Sequence, residues 1–252
     1  MNIKPGLFKD KNCPKQCYFM DDKRVIFKSK VDITLLHARD LKGKTLDEVN
    51  YASNMNALGS KVLYSIESPL YTPLNGFNND FIITYQSNFY GLLRKYDHFE
   101  RIATETNSTD VWNDEQINSA IKSKIKGLLI LVSNCDTFSS REYFIEVLSQ
   151  YLPITIYGKC SKNYCNSECE KAAIKEHKFY LAFENSVCNE YVTEKFWRMK
   201  DLIVPIVLSR NVTKNVAPQG SYIAADDFKS VEKLAEYLKF LMNDLEEYKK
   251  YV

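Results

Sequence analysis

Three continuous apolar runs constrain this chain most: "GLLILVS" (127–133), "KFYLAFE" (178–184) and "VPIVLS" (204–209). Each is strand-length and apolar without alternation, the pattern of a strand buried on both faces. Between them lie "SREYFIEVLSQY" (140–151), with Tyr143, Val147 and Tyr151 on one face, the strand "ITIYG" ending at Gly158, and residues 191–202. In the last segment Val192, Phe196, Met199 and Ile203 recur at helical spacing, which predicts one buried stripe. "SYIAAD" (221–226) adds a strand, and one or two helices follow Ser230, a candidate N-cap with Lys233 rather than Glu at the third helical position. Strands alternating with helices predict an α/β fold with a parallel sheet covered on both faces. Upstream, "VDITLLHA" (31–38), "KVLYSIES" (61–68) and "DFIITYQ" (80–86) read as short strands. A helix over "LDEVNYASNM", a loop over "TPLNGFNND" and a helical segment at 108–126 that joins two halves complete the pattern. The first twenty residues read as polar and irregular.

The 252 residues suffice for one large domain or two small ones. A net charge of +2 from dispersed basic residues gives no argument for nucleic acid. No apolar run is long enough to span a bilayer, and no signal-peptide pattern opens the chain. Gly-rich phosphate loops are absent, which weighs against common kinases, P-loop NTPases and dinucleotide dehydrogenases.

Seven cysteines, at 13, 17, 135, 160, 165, 169 and 188, leave three readings open: core thiols in a reducing compartment, a zinc site, or disulfides. The spacing in "CSKNYCNSEC" lacks a CxxC pair, which weakens zinc. The sequons Asn107-Ser108-Thr109 and Asn211-Val212-Thr213 lean toward an oxidising compartment.

Ligands of parallel sheets bind outside the carboxyl ends of the strands, so the polar segments there carry the chemistry. The densest is "FENSVCNEYVTEKFW" (183–197). Glu184, Asn185 and Ser186 leave a buried strand, and Glu194 and Lys195 fall in the first turns of the next predicted helix. A helix N-terminus with a lysine suits a diphosphate, and carboxylates suit sugar or ribose hydroxyls. The spacing equally fits a solvated surface in which Glu194 and Arg198 form an i, i+4 pair and Glu184 caps a loop.

"KFYLAFENSVCNEYVTEKFW" resembles the signature of the α1,3-fucosyltransferases that use GDP-fucose. The resemblance extends through "SNCDTFSSREYFIEVLSQYLPITIYGKC", "VPIVLS", "APQGSYIAADDF" and "SVEKLAEYLKFL", and upstream through "VDITLLHARDL", "VLYSIESP" and "GFNNDFIITYQ". It implies a GT-B architecture, two Rossmann-like domains with parallel sheets facing a cleft. Residues 1–125 would form the acceptor side and 126–252 the GDP-fucose-binding side. It implies inverting transfer of fucose from GDP-β-L-fucose to a GlcNAc-containing glycan. Glu67 in "SIESP" matches the catalytic base, Arg141 the arginine that meets the diphosphate, and Tyr191, Glu194 and Lys195 nucleotide-sugar contacts in a pocket shaped by Glu184, Asn185 and Ser186.

The cysteine pattern resembles the core-type enzymes, which act on the innermost GlcNAc of Asn-linked glycans. No tightly bound cofactor and no metal-ligand residues are implied. The usual DxD motif is absent, "ADD" at 225–227 reads as a strand-end turn, and manganese or magnesium stays open as a stimulator. Expected partners are the donor and a glycan or glycoprotein acceptor. The expected location is the Golgi lumen, as a type II membrane protein anchored through a segment missing from this chain. Departures from the family pattern fall at Gln86, Asn88, Ser209 and Ala224. They leave open a catalytically weak glycan- or nucleotide-binding paralogue, and a different GT-B glycosyltransferase is a third reading.

Overall fold

The computed structural model describes residues 6–8, 17–19, 32–41, 59–72, 79–87, 91–100 and 111–252, with backbone alone at 6–8, 17–19 and 199. The expected helix within 46–55, most of the loop before Asn79, the departure at Asn88, Cys13 and the sequon at Asn107 lie outside the described residues. The chain divides into two units: Met1–Thr84 with Asn88–Arg94, and Tyr85–Ser87 with Lys95–Val252.

The first unit opens with an antiparallel pair, β1 (Gly6–Phe8) and β2 (Cys17–Phe19), where the sequence suggested irregular chain. Its main sheet is parallel and runs in chain order: β3 (Ile33–His37), β4 (Ser60–Ser65), β5 (Phe81–Thr84) and β6 (Gly91–Leu93). Leu63 is fully buried in the middle of β4. β6 was not foreseen, because its three residues all lie exposed and carry no apolar period.

The second unit is a five-stranded, all-parallel sheet in the order β11-β10-β9-β7-β8. Its strands are β7 (Lys126–Leu131), β8 (Ile154–Tyr157), β9 (His177–Leu181), β10 (Val204–Val207) and β11 (Ile223–Ala224). The central strands β9 and β10 are buried at every position, including His177 and Lys178 at the start of β9. Side chains alternate between two cores. Phe179, Leu181 and Phe183 point to one face, with Leu128, Ile130, Leu148, Leu238 and Tyr248. Tyr180 and Ala182 point to the other, with Leu129, Ile174, Phe196 and Trp197. Pro205 sits inside the sheet without breaking the ladder. The Ile206 carbonyl accepts from Ala182 N–H on the β9 side, so Pro205 faces the β11 side, one residue before β11 begins pairing.

Among the described residues six α-helices cover this sheet: α1 (Asp114–Ser123), α2 (Arg141–Ser149), α3 (Ser167–Glu176), α4 (Arg210–Thr213), α5 (Val231–Asn243) and α6 (Leu245–Lys249). α1 packs with α3 and α6 inside the second unit, ahead of the expected boundary at 125/126. α2 buries Arg141, Ile145 and Leu148; the Tyr143 and Tyr151 face looks to solvent. Ser230 caps α5 by accepting the Lys233 N–H at 3.2 Å. α3 was not read from sequence, because its ten residues are mostly charged and small.

Residues 191–202 depart from the predicted helix. The chain is irregular through Lys195, and a 3-10 helix spans Phe196–Asp201. Glu190, just before the segment, has left-handed backbone (φ 60°), outside the helical region, and the Glu184 carboxylate holds both the amide (2.8 Å) and the hydroxyl (2.7 Å) of Thr193, which ties 191–195 to the chain leaving β9. Val192, Phe196 and Ile203 are buried even so.

Candidate active site

A sheet in which the second strand lies outside the first, and the third on the other side, has its topological switch between β7 and β9. Crossovers on either side diverge there and leave a crevice at the carboxyl ends. Two loops meet at this edge, residues 132–140 after β7 and residues 182–195 after β9. Arg141, at the start of α2, is 2% exposed and donates from Nη1 to the Phe183 carbonyl (2.6 Å) and from Nη2 to the Asn134 carbonyl (2.9 Å). Its guanidinium thereby joins the two loops. Ser139 adds a hydroxyl bond to the Glu184 carbonyl (2.7 Å) and an amide bond to the Asn185 carbonyl (3.2 Å).

The neighbouring loop on β8 is tied in covalently. Gly158 has φ +114°, and a Cβ there would lie 2.2 Å from the Val132 carbonyl oxygen, so glycine is required at this approach. Just beyond it, Cys160 is bonded to Cys135. Cys165 and Cys169 form a second disulfide at the start of α3. These pairings decide among the three cysteine readings for four of the seven residues: their sulfurs are in disulfides, and the zinc reading falls for them. The Cys135–Cys160 bridge closes a sequence separation of 25, a loop for which cross-linking contributes roughly 3 kcal/mol. Dithiothreitol should therefore lower the melting temperature by roughly 6–12 °C. A shift below 2 °C in differential scanning calorimetry would show that the bridge constrains nothing.

Glu184 turns back under the second loop and is buried. Its Oε1 accepts the Thr193 N–H (2.8 Å), both its oxygens face the Thr193 hydroxyl (2.7 and 2.9 Å), and Oε2 lies 3.0 Å from Lys195 Nζ. Burial pushes its carboxyl above the ordinary range, against the opposing pull of Lys195 and Thr193. Lys195 Nζ also donates to Thr193 Oγ1 (2.9 Å) and Glu194 Oε1 (3.2 Å). Burial raises Glu194 as well, but the Lys195 ammonium outweighs it and holds this exposed carboxylate below its usual range. One ammonium thus stands between two carboxylates, with the Thr193 hydroxyl passing a hydrogen bond from Lys195 to Glu184. Ser186 and Tyr191 are buried beside them, and Tyr191 packs on Tyr85 with ring centroids 5.1 Å apart. Glu184, Ser186, Tyr191, Ser209 and Thr213 help line a void of about 20 Å³, room for one water.

Asp226 and Asp227 are engaged elsewhere. Asp226 accepts the Arg210 N–H at 2.8 Å, and Asp227 grips the Arg210 guanidinium. Among the described residues no group of three or more His, Cys, Asp or Glu side chains is placed to hold a metal.

In the first unit, Glu67 follows β4. The loop carrying it is fixed by Tyr71 and Thr72 N–H bonds to the Ser68 carbonyl (3.0 and 3.1 Å) and by Ser65 Oγ against Thr72 Oγ1 (3.2 Å). Glu67 Oε1 lies 3.6 Å from Arg39 Nη1, so both residues stand at the carboxyl ends of adjacent strands.

The family profile described as Glycosyltransferase family 10 (fucosyltransferase) C-term matches residues 121–252. The chain belongs to this family. It is 41% identical to Alpha-(1,3)-fucosyltransferase fut-1 of Caenorhabditis elegans over 136 residues, 52% of this chain and 31% of that protein. It is 28% identical to Alpha-(1,3)-fucosyltransferase fut-5 of the same organism over 236 residues, 87% of this chain and 59% of that protein. The chain therefore spans less than two thirds of either relative. A solved α1,3-fucosyltransferase superposes with a TM-score of 0.62 at 19% identity, covering 90% of this chain and 71% of that one. A solved α1,3-fucosyltransferase with GDP-fucose superposes with a TM-score of 0.57 at 19% identity, covering 77% of this chain and 65% of that one. The fold is the GT-B α/β fold of these fucosyltransferases.

For this family member the structure gathers Arg141, Glu184, Asn185, Ser186, Tyr191, Glu194 and Lys195 at one edge of one sheet, while Glu67 lies in the other unit. The expected helix N-terminus for a diphosphate is replaced by irregular chain up to Lys195. Sequence reasoning missed Thr193 and Ser139. Thr193 stood in plain view in "EYVTEKF", but a helical assignment left its hydroxyl without a task.

Proposed function

We propose that this chain takes part in fucosyl transfer from GDP-β-L-fucose to a GlcNAc-containing glycan in α1,3 linkage, with inversion. The arrangement that carries the reading is the Glu184–Lys195–Glu194 cluster at the switch-point edge of a family 10 chain. Lys195 exchanges a carboxylate for a donor phosphate oxygen, and the carboxylates released accept fucose or ribose hydroxyls. Tyr191, Asn185 and Ser186 shape the wall. The void beside Glu184 holds no more than water, so the donor lies over the strand ends. Arg141 acts through charge and loop placement, since both its terminal nitrogens are bonded to carbonyls. The acceptor oxygen attacks the anomeric carbon, Glu67 takes its proton, and the bond to the β-phosphate breaks to release GDP. Manganese or magnesium, if it stimulates, would supply charge neutralisation at the leaving diphosphate.

The cysteine pattern favours the N-glycan core as acceptor, and the two disulfides fit the secretory pathway, with the Golgi lumen as the site of action. The sequon at Asn211 supplies a direct test of that compartment. Asn211 is exposed on α4, while Thr213 is buried on the opposite side. Secreted from a eukaryotic host in an Asn107→Gln background, the chain should carry a glycan that peptide N-glycosidase removes and that the added Asn211→Gln lacks. A single unshifted band in both would count against it.

The function itself is tested by a donor screen of GDP-fucose, GDP-mannose and UDP-sugars against GlcNAc-terminated and N-glycan-core acceptors, read by mass spectrometry. A gain of one fucose from GDP-fucose alone is expected. Transfer from another donor, or GDP binding with no turnover in the full-length protein, overturns the reading.

A further inference from the structure

The geometry points to Ser139 as a positioning residue for the donor site, one that touches no substrate and acts by fixing the chain that carries Glu184. This rests on the fucosyl-transfer reading above. In a regular strand successive carbonyls face opposite neighbours. After β9 that alternation ends: the carbonyls of Phe183, Glu184 and Asn185, three in a row, are all received by the residues that open α2. Arg141 takes the first at 2.6 Å, and Ser139 takes the next two, by its hydroxyl at 2.7 Å and its amide at 3.2 Å. Arg141 thus holds the peptide unit before the Glu184 Cα and Ser139 the one after it, so Ser139, with its second bond to Asn185, fixes the C-terminal side of the point where the Glu184 side chain starts. Glu184 in turn sets Thr193 and Lys195.

The local backbone is shaped for this task. Ser140 has φ 51°, a left-handed conformation that a non-glycine residue rarely adopts, and its own side chain makes no cap bond to α2. That turn delivers both polar groups of Ser139 to the same loop, a placement that an ordinary capped helix start would not give. Thr137 Oγ1 lies 3.1 Å from Ser139 Oγ and donates to Glu142 Oε2 at 3.0 Å, which packs the hydroxyl from behind.

The test compares Ser139→Ala, Ser139→Thr and Ser139→Val in the full-length enzyme. Thr and Val are matched in size and differ by the hydroxyl. In Ala and Val, KM for GDP-fucose should rise about tenfold, with kcat and the acceptor KM within about threefold of wild type. Thr should restore the donor KM to within about threefold. Calorimetric GDP affinity should follow the same order, and circular dichroism should show all variants folded. A donor KM in Ala and Val equal to wild type overturns the inference. So does an equal fall in kcat and rise in both KM values, or a fold that survives only in Thr, since either makes Ser139 a general structural residue. If wild type neither binds GDP nor transfers fucose, the functional reading has failed instead.

Discussion

Glu67→Gln should lower kcat about a thousandfold while leaving KM for GDP-fucose within about threefold of wild type, since a positioned general base contributes 10²–10⁴. The substitution keeps the shape of the side chain and removes its capacity to take a proton. The loop carries bonds of its own that stay in the variant, from the Tyr71 and Thr72 amides to the Ser68 carbonyl and between the Ser65 and Thr72 hydroxyls. The Arg39 contact, 3.6 Å long with Arg39 largely exposed, adds little to stability. The residues proposed to bind the donor sit on a different sheet, which is why the donor KM should be spared. Retention of more than a tenth of kcat would remove Glu67 from the role of base.

Lys195→Met should lower kcat/KM for GDP-fucose at least about a hundredfold, the scale of losing a charged donor at a leaving group. The variant tests more than phosphate contact. Lys195 is the ammonium between Glu184 and Glu194, and without it Glu184 keeps only Thr193. Burial already raises the Glu184 carboxyl, and loss of the cation raises it further. A carboxyl whose folded-state pKa is raised binds more protons folded than unfolded between the two values. Stability then falls as pH rises through that window. The melting deficit of Lys195→Met should accordingly shrink as pH is lowered toward 5. A deficit that stays constant or grows on acidification would show that Glu184 is not the group left unpaired.

The fold was legible where burial leaves one option. β7, β9 and β10 are apolar along their length because both faces are covered, and the sequence shows it. It failed where long-range bonds override local preference. Residues 191–195 have helical apolar spacing, yet Glu184 captures the Thr193 amide from nine residues away, and the helix starts late. α3 failed for the opposite reason: its first turn is set by the Asn166 cap and a disulfide, while its buried residues, Ala173 and Ile174, are too few to make a period. The site residues became recognisable through their resemblance to a family, and their charge pattern alone fitted a solvated surface equally well. What no pattern could convey is the traffic between loops. Arg141 reads as a ligand for phosphate, but its partners are the carbonyls of Phe183 and Asn134, and carbonyls leave no mark in a sequence.

The strand order has a consequence for biogenesis. β7 and its partner β9 are separated by the whole of α2, β8 and α3, and β9 is enclosed only when β10 emerges. A nascent chain can pair β7 with β8 early, but the crevice between β7 and β9 cannot form before β9 is made, and β9 is not held on its far side until synthesis has passed Val207. Until then β9 keeps an open edge, and four cysteines that pair in the native state are already exposed to oxidation. The ligand-binding edge is thus the late product of folding, and a ribosome-stalled chain ending before β10 should bind no nucleotide however much secondary structure it has gained.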